Sequence, residues 1–103
     1  MPVFADRRDA RRYLVTLSAQ VLAAERTYRT EVLDVSAGGM LLAATGGFAV
    51  DRGTQLEIEA AMIGRVRARV VGVSRHGIHL RIDPPTSQYD SAIERLSILS
   101  QAW

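Results

Sequence analysis

Most of the chain alternates between apolar and polar residues, which is the period of a half-buried β-strand. Residues 13–24 form the first such stretch, and four of its apolar residues share one face: Val15, Leu17, Ala19 and Val21. Residues 27–35 alternate again after the short polar break Glu25-Arg26. A break this short favours a hairpin. The pattern therefore predicts that the first two strands are antiparallel neighbours.

Four further strands are predicted downstream, over residues 40–44, 55–62, 65–70 and 78–82. Glycine-rich or polar stretches separate them, as expected for turns. In the hairpin formed by the strands over residues 55–62 and 65–70, we expect glutamates to face arginines across the strands. The residues concerned are Glu57 and Glu59 on one strand and Arg65, Arg67 and Arg69 on the other.

A helix is predicted after Asp83-Pro-Pro, where proline ends the sheet because it cannot donate to a ladder. Ser87 and Asp90 have the Ser-x-x-acid spacing of a helix start. One helical face then carries Tyr89, Ile93, Leu96 and Ser100, with Ala92 and Leu99 alongside. We expect this helix to plug an open end of the sheet; a helix that binds a partner is the alternative.

Six short strands with frequent turns predict an all-β protein with one helix: a closed or nearly closed six-stranded antiparallel β-barrel plus a C-terminal α-helix. A length of 103 residues fits one domain. We expect residues 1–12 to be a flexible, arginine-rich segment and residues 13–103 to form the barrel and helix. Since no apolar run is long enough to span a bilayer and no signal peptide is apparent, we expect a cytoplasmic protein without membrane insertion.

Charge is concentrated locally, although the net charge is only +2. All 13 basic residues are arginines, and four of them lie within residues 7–12, before the first predicted strand. A guanidinium group is planar and forked, which suits phosphate and guanine. The run is therefore either a solvated tail or a clamp for an anion.

Catalysis is not indicated. The chain has no cysteine, and His76 and His79 lie near a turn without a serine or acid partner in a motif. We find no metal-ligand spacing and no phosphate-binding Gly-x-x-x-x-Gly-Lys loop. We therefore expect a protein that is not an enzyme and needs no cofactor.

A binding site is indicated instead by the arginine run together with the turn Asp34-Val-Ser-Ala-Gly-Gly39. Asp34 and Ser36 lie two residues apart and so face the same side of a strand end. A carboxylate can accept hydrogen bonds from the N1–H and amine of guanine, whereas a hydroxyl and the amides of a glycine-rich turn can hold phosphate oxygens. Glycine at positions 38 and 39 lets a ligand approach the backbone closely.

At these residues the chain resembles the PilZ domain family. The family pattern is Arg-x-x-x-Arg followed, about two strands later, by Asp/Asn-x-Ser-x-x-Gly; here the two motifs are Arg8-Asp-Ala-Arg-Arg12 and Asp34-Val-Ser-Ala-Gly-Gly39. The downstream stretches Arg-Val-Val-Gly-Val-Ser and Gly-Ile-His-Leu-Arg-Ile are similar to the last two strands of the family. The resemblance covers residues 6–100.

The resemblance implies a six-stranded barrel that binds the bacterial second messenger cyclic di-GMP. It implies that Arg8 and Arg12 bind guanine and phosphate, and that Asp34, Ser36 and Gly39 contact the ligand on the barrel surface. Arg7 is implied as an additional contact, which would favour a stacked pair of ligands. Arg7 and Arg11 also fit the first motif; we prefer Arg8 and Arg12 because Arg12 directly precedes the strand.

No output domain is apparent, so the resemblance implies a stand-alone receptor that docks onto an unidentified protein effector. Its family suggests control of motility, exopolysaccharide or biofilm formation. Ligand binding is expected to order residues 6–12 across the barrel.

Two other functions stay open. A ligand-independent PilZ-like adaptor is disfavoured by the arginine motif, which such adaptors generally lack. A small-barrel binder of nucleic acid is disfavoured because the aromatic residues are dispersed and form no stacking platform. We therefore expect no nucleic-acid polymer as a partner.

Overall fold

The computed structural model of the protein describes residues 12–23, 26–44 and 50–101, with backbone only at 100 and 101. Across these ranges the chain forms six strands and one helix. The elements are β1 (Arg12–Ala23), β2 (Arg26–Ser36), β3 (Gly39–Leu42), β4 (Gln55–Ala60), β5 (Gly64–Ser74), β6 (Gly77–Ile82) and α1 (Ser87–Gln101). The predicted fold class is therefore confirmed. Within the same ranges, no helix is both long enough and apolar enough to cross a membrane.

The strands form a closed antiparallel barrel in the order β1-β2-β3-β6-β5-β4. The predicted first hairpin is confirmed, with Val21 opposite Tyr28. On its other side, Val21 lies opposite Ile58, where β4 closes the barrel against β1. Closure pairs every strand on both sides and removes the exposed edge that would otherwise invite aggregation.

Alternation along most strands separates a buried core from an outer face, whereas the last three residues of β3 are all buried. Each of the six strands contributes to the core, whose fully buried members include Val21, Val32, Leu42, Ile58, Val70 and Ile78. Thr30 is a buried polar residue, and its hydroxyl donates to the carbonyl of Ala43 at 2.7 Å. Burying this hydroxyl is tolerated because its donor is satisfied.

The outer face of the β4–β5 hairpin carries paired charges, as predicted. Glu57 lies opposite Arg67 and Glu59 lies opposite Arg65. The Arg65 Nη2 and Glu59 Oε1 atoms are 3.8 Å apart, and both side chains are more than half exposed. An exposed pair of this kind contributes at most about 1 kcal/mol.

The strand boundaries differ from the sequence prediction on both sides of the turn that joins β4 to β5. Met62 was predicted to continue a strand, but it lies in the turn with φ of 69° and is 50% exposed. Ile63 is buried in its place. β5 extends to Ser74, and the register shift between Val70 and Gly72 explains why its last residues do not follow simple alternation.

Helix α1 packs its apolar face against the barrel interior, as predicted for a plug. Its buried residues Tyr89, Ala92, Ile93 and Leu96 belong to the same cluster as the strand residues. The prediction for Leu99 was wrong, since this residue is 52% exposed; the buried face of the helix ends at Leu96. Nothing is described of the Ser100 side chain.

The N-cap of the helix is Thr86 rather than Ser87. The Tyr89 backbone N–H donates to Thr86 Oγ1 at 3.1 Å. An N-cap side chain accepts from the second or third helical residue, and Tyr89 is the third residue when Thr86 is the cap.

Tyr89 attaches the helix to the barrel wall. Its ring is almost fully buried, and its hydroxyl donates to the carbonyl of Gly39 in β3. Burial raises the pKa of Tyr89 far above the ordinary value of about 10, and the nearby Asp34 and Asp90 act in the same direction, against a hydrogen bond with Ser36. The phenol therefore stays protonated and remains a donor across the physiological pH range.

We predict that Gly77→Ala destabilises the barrel by roughly 2–4 kcal/mol. Gly77 begins β6 with φ of 137°, and a Cβ atom there would lie 2.1 Å from the Leu42 carbonyl oxygen. Both the backbone conformation and the space exclude a side chain. Urea unfolding followed by circular dichroism measures the change.

Gly72→Ala is the matched control, because none of the described residues has an atom within 4 Å of its Cβ position and its φ is not in the left-handed region. We expect Gly72→Ala to stay within about 1 kcal/mol of the wild type. Equal losses in both variants would show that the Leu42 contact is not the cause.

We predict that Tyr89→Phe lowers the free energy of unfolding by about 1–2 kcal/mol, because the buried Gly39 carbonyl loses its donor from the helix. The difference in the free energy of unfolding between the wild type and Tyr89→Phe is complete below pH about 10 and becomes smaller as the pH rises further. Above that pH, Tyr89 ionises in the unfolded chain but stays protonated in the folded chain. Urea midpoints measured from neutral to alkaline pH give both results.

Tyr13→Phe serves as the control for the lost hydroxyl. Tyr13 is only partly buried, and within the described ranges its hydroxyl has no hydrogen bond. A loss in Tyr13→Phe as large as in Tyr89→Phe, or a pH-independent difference for Tyr89→Phe, would contradict the assigned role of Tyr89.

Candidate ligand-binding site

The second predicted motif and the end of the first lie together on the outer surface of the barrel, where β1, β2 and β3 run side by side. Arg12 is opposite Ser36 on the neighbouring strand, and Ser36 is in turn opposite Gly39. Two residues before Ser36 on β2, Asp34 lies between Leu14 on β1 and Leu41 on β3. The antiparallel register thus brings together residues that are more than twenty positions apart in sequence.

Asp34 and Ser36 both face outward because Val35 between them points into the core. Val35 is fully buried. Val32 is also fully buried, and the register shift between Val32 and Asp34 changes the phase of the strand at this point. Beyond the shift, successive side chains point to opposite faces, so the two polar side chains share the outer face, although Asp34 is largely covered by its neighbours. The structure therefore supports the predicted placement of Asp34 and Ser36 on one side.

Arg12 and Asp34 form an ion pair with loose geometry. The Arg12 Nε and Asp34 Oδ2 atoms are 3.7 Å apart, and the Arg12 side chain is 57% exposed while that of Asp34 is 9% exposed. A single contact at this distance does not use the bidentate geometry available to an arginine and a carboxylate. The guanidinium is thus positioned at the site by a single ion-pair contact while its side chain stays more than half exposed.

The turn between β2 and β3 presents bare backbone next to these side chains. Gly38 has φ of 77°, and no atom of the described residues lies within 4 Å of its Cβ position. Gly39 is tighter, because a Cβ atom there would lie 2.9 Å from the Leu80 carbonyl and 3.4 Å from Ser36 Oγ. Gly38 therefore leaves room for a ligand above the turn, and Gly39 keeps the strands close beneath it.

The turn is supported from inside. Tyr89 donates to the Gly39 carbonyl, and the Ile82 N–H donates to the Gly38 carbonyl at 2.7 Å. These contacts come from α1 and from the end of β6. The backbone on which a ligand would rest is therefore held by two other elements.

The site is a surface face beside a cavity of about 440 Å³, which lies between the β2–β3 turn and α1 and is lined by Tyr13, Ala37, Asp90 and Ile93 among others. A cavity of about 530 Å³ lies towards the opposite end of β1, next to Ser18, Gln20, Arg29 and Glu59. Of the predicted site residues that the structure describes, none lines this cavity. A ligand of the predicted site would therefore bind across strands on the barrel surface.

Two residues of this face were not predicted. Leu14 is 82% exposed and lies opposite Asp34. Arg81 is exposed and lies opposite Gly39. The alternation of β6 marks Arg81 as outward-facing, but only the strand order of the closed barrel places it beside the turn.

The remaining arginines of the first motif, Arg7, Arg8 and Arg11, lie outside the described residues. The choice between the pairs Arg8/Arg12 and Arg7/Arg11 therefore stays a prediction, as does the switch segment that ends at residue 12. Arg12 itself is the first residue of β1.

Comparisons with known proteins agree on the kind of domain. The family model of the PilZ domain matches residues 6–99, a range that contains both motifs. No curated protein sequence matches significantly. Among solved structures, the inhibitor of motility MotI/DgrA of Bacillus subtilis is similar to this chain, with a TM-score of 0.77 and 16% sequence identity.

That likeness covers 93% of this chain and 52% of the Bacillus subtilis protein, so this chain spans about half the length of its structural neighbour. At this identity the likeness concerns the fold: a closed six-stranded barrel with a C-terminal helix. The match of the family model, which extends over nearly the whole chain, goes further, and the chain belongs to the PilZ domain family.

Proposed function

We propose that this protein is a non-enzymatic receptor for cyclic di-GMP that regulates a protein partner by changing its surface when the ligand binds. Members of the PilZ family are receptor and adaptor domains. The observation that carries the proposal is the single outer face shared by Arg12, Asp34, Ser36 and the glycine turn.

The chemistry of this face matches a ligand that contains both guanine and phosphate. The Asp34 carboxylate can accept hydrogen bonds from the N1–H and exocyclic amine of guanine. Arg12 can donate two parallel N–H bonds to a phosphate or to the O6/N7 edge of a guanine. Ser36 and the backbone amides near Gly38 and Gly39 can donate to phosphate oxygens.

We propose that Arg8 and Arg7 complete the site from the residues that precede β1. Arg8 would act with Arg12 on guanine and phosphate, and Arg7 would add a contact that favours a stacked pair of ligands. The pair Arg7/Arg11 is the alternative frame. In either case the ligand would bridge the N-terminal arginines and the barrel face.

A ligand that contacts both the N-terminal arginines and the barrel face suggests how ligand binding changes the interaction with a partner. A ligand held by both Arg8 and the barrel would bring residues 6–11 onto the outer surface near the turn. The partner would then meet a different surface from that of the free protein. Motility, exopolysaccharide and biofilm control are the processes we propose, and the structural neighbour is itself named an inhibitor of motility.

We predict saturable binding of cyclic di-GMP in titration calorimetry. Arg8→Ala and Arg12→Ala are each expected to weaken binding by roughly 1–3 kcal/mol through loss of a bidentate contact. Arg29→Ala should bind like the wild type, because Arg29 is an exposed arginine on β2 that lies seven residues, roughly 23 Å, from Ser36.

The ligand is tested at about 50 μM, well above the dissociation constant expected of a messenger receptor. The proposal is wrong if neither a heat of binding nor an NMR shift change is seen at that concentration. Binding by both arginine variants at wild-type strength would show that the clamp is assigned to the wrong residues.

We further predict that Arg12 and Asp34 act together, so that a double-mutant cycle with Arg12→Ala and Asp34→Asn is not additive. Asp34 lies 3.7 Å from Arg12 and would both position it and bind the guanine. We expect a coupling free energy for ligand binding of about 0.5–3 kcal/mol.

The pair Arg65 and Glu59 is a matched control, because it is an exposed ion pair at 3.8 Å on the other side of the barrel. Arg65→Ala with Glu59→Gln should leave ligand affinity unchanged. Additivity of the Arg12 and Asp34 effects would mean that Asp34 does not position Arg12.

A further inference from the structure

A row of outward-facing positions runs around the barrel from the candidate site to β5. Pairing continues from Arg12 to Ser36, from Ser36 to Gly39, and from Gly39 to Arg81. Arg81 then lies opposite Arg69 on β5. The row thus carries arginines on both sides of the serine and the glycine.

The Arg81 side chain points away from the core. Its neighbours Leu80 and Ile82 are buried, and Arg81 is exposed, as alternation requires. Adjacent strands are about 4.8 Å apart, and Gly39 has no side chain to separate Arg81 from Ser36. The guanidinium can therefore extend over bare backbone towards the ligand-binding face.

The charges around Arg81 are unbalanced. Like charges directly opposite each other on neighbouring strands are destabilising. Arg69 is compensated, because its Nε donates to Asp83 Oδ2 at 3.1 Å and its Nη1 donates to the Gly53 carbonyl at 3.4 Å. Within the described ranges, Arg81 has neither a hydrogen bond nor an ion pair.

We infer that Arg81 is a further ligand contact, which donates to a phosphate of the cyclic dinucleotide and extends the site across β3 to β6. A phosphate over Gly39 would lie between Arg12 and Arg81 and would relieve the repulsion between Arg81 and Arg69. The inference rests on the proposed function, since it assigns Arg81 to the same ligand.

The test is titration calorimetry of cyclic di-GMP with Arg81→Gln and, as matched control, Arg29→Gln. Arg29 is also exposed and, in the described part of the chain, also has neither a hydrogen bond nor an ion pair. Loss of a charged hydrogen bond should weaken binding by Arg81→Gln about ten-fold, with Arg29→Gln unchanged. Arg81→Lys should fall between the wild type and Arg81→Gln, because it keeps the charge without the fork.

Two measurements separate ligand contact from a structural role. The thermal midpoint of the free Arg81→Gln variant should stay level or rise, because a repulsive charge is removed. In the wild type, the Nε–H resonance of Arg81 should shift on ligand addition.

Wild-type affinity in Arg81→Gln, or an Arg81 Nε–H resonance that the ligand does not move, would overturn the inference while leaving the proposed function intact. A weaker affinity accompanied by a lower thermal midpoint would also overturn it, in favour of a structural role. If the wild type itself does not bind cyclic di-GMP, the proposed function fails and the inference fails with it.

Discussion

The burial of Val35 determines which way the candidate site faces. This side chain is fully buried in the barrel core, between two polar residues that point outward. A slip of one residue in the pairing of β2 would turn Asp34 and Ser36 into the core and expose Val35. Such a slip would cost the transfer free energy of the valine, and it would separate the largely buried Asp34 carboxylate from its Arg12 partner. The hydrophobic effect on one side chain thus maintains the chemistry of its two neighbours.

Closure of the barrel brings residues that are far apart in the chain into the candidate site. Because β3 pairs with β6 as well as with β2, the strand that follows the glycine turn has a hydrogen-bonded neighbour on each side. Gly39 permits that close approach, since a side chain there would meet the Leu80 carbonyl. Tyr89 then holds the Gly39 carbonyl from below. The exposed backbone of the candidate face is therefore held in place by contacts from β6 and α1.

Alternation and turn chemistry made most of this architecture predictable. The six strands and the helix follow from residue periods that the fold obeys. The outward direction of Asp34 and Ser36 does not, because the register shift between Val32 and Asp34 changes the phase of β2 after the buried Thr30 and Val32. The sequence did not predict the place of Arg81, because adjacency of β3 and β6 results from the order of strands in the closed barrel. It missed the end of β5 because the register shift near Gly72 breaks the period, and it placed the helix cap at Ser87 because Thr86 and Ser87 are both plausible caps.

The motif arginines before β1 show a second limit of prediction from the sequence, which concerns the spacing of motifs. Their spacing and their distance from Asp34-Val-Ser-Ala-Gly-Gly39 led to the PilZ family, and the family model bears this out. Spacing alone does not choose between Arg8/Arg12 and Arg7/Arg11, because the two frames differ by one residue and both contain arginines. The position of Arg12 at the start of β1 is what the fold adds, since it gives one arginine a defined place opposite Ser36.

The mixture of charges on this face is better suited to selectivity than to stability. Arg12 and Arg81 attract any anion, but Asp34 lies between β1 and β3 and repels one that has nothing to donate. A plain phosphate would satisfy the arginines and leave the carboxylate opposed. A nucleotide with a guanine satisfies both, because the base brings N–H donors to the carboxylate while its phosphates meet the guanidinium groups. Discrimination of this kind depends as much on the repulsive group as on the attractive ones. Under the proposed function, the Asp34 carboxylate would thus be the residue that narrows an anion-binding surface to a guanine nucleotide.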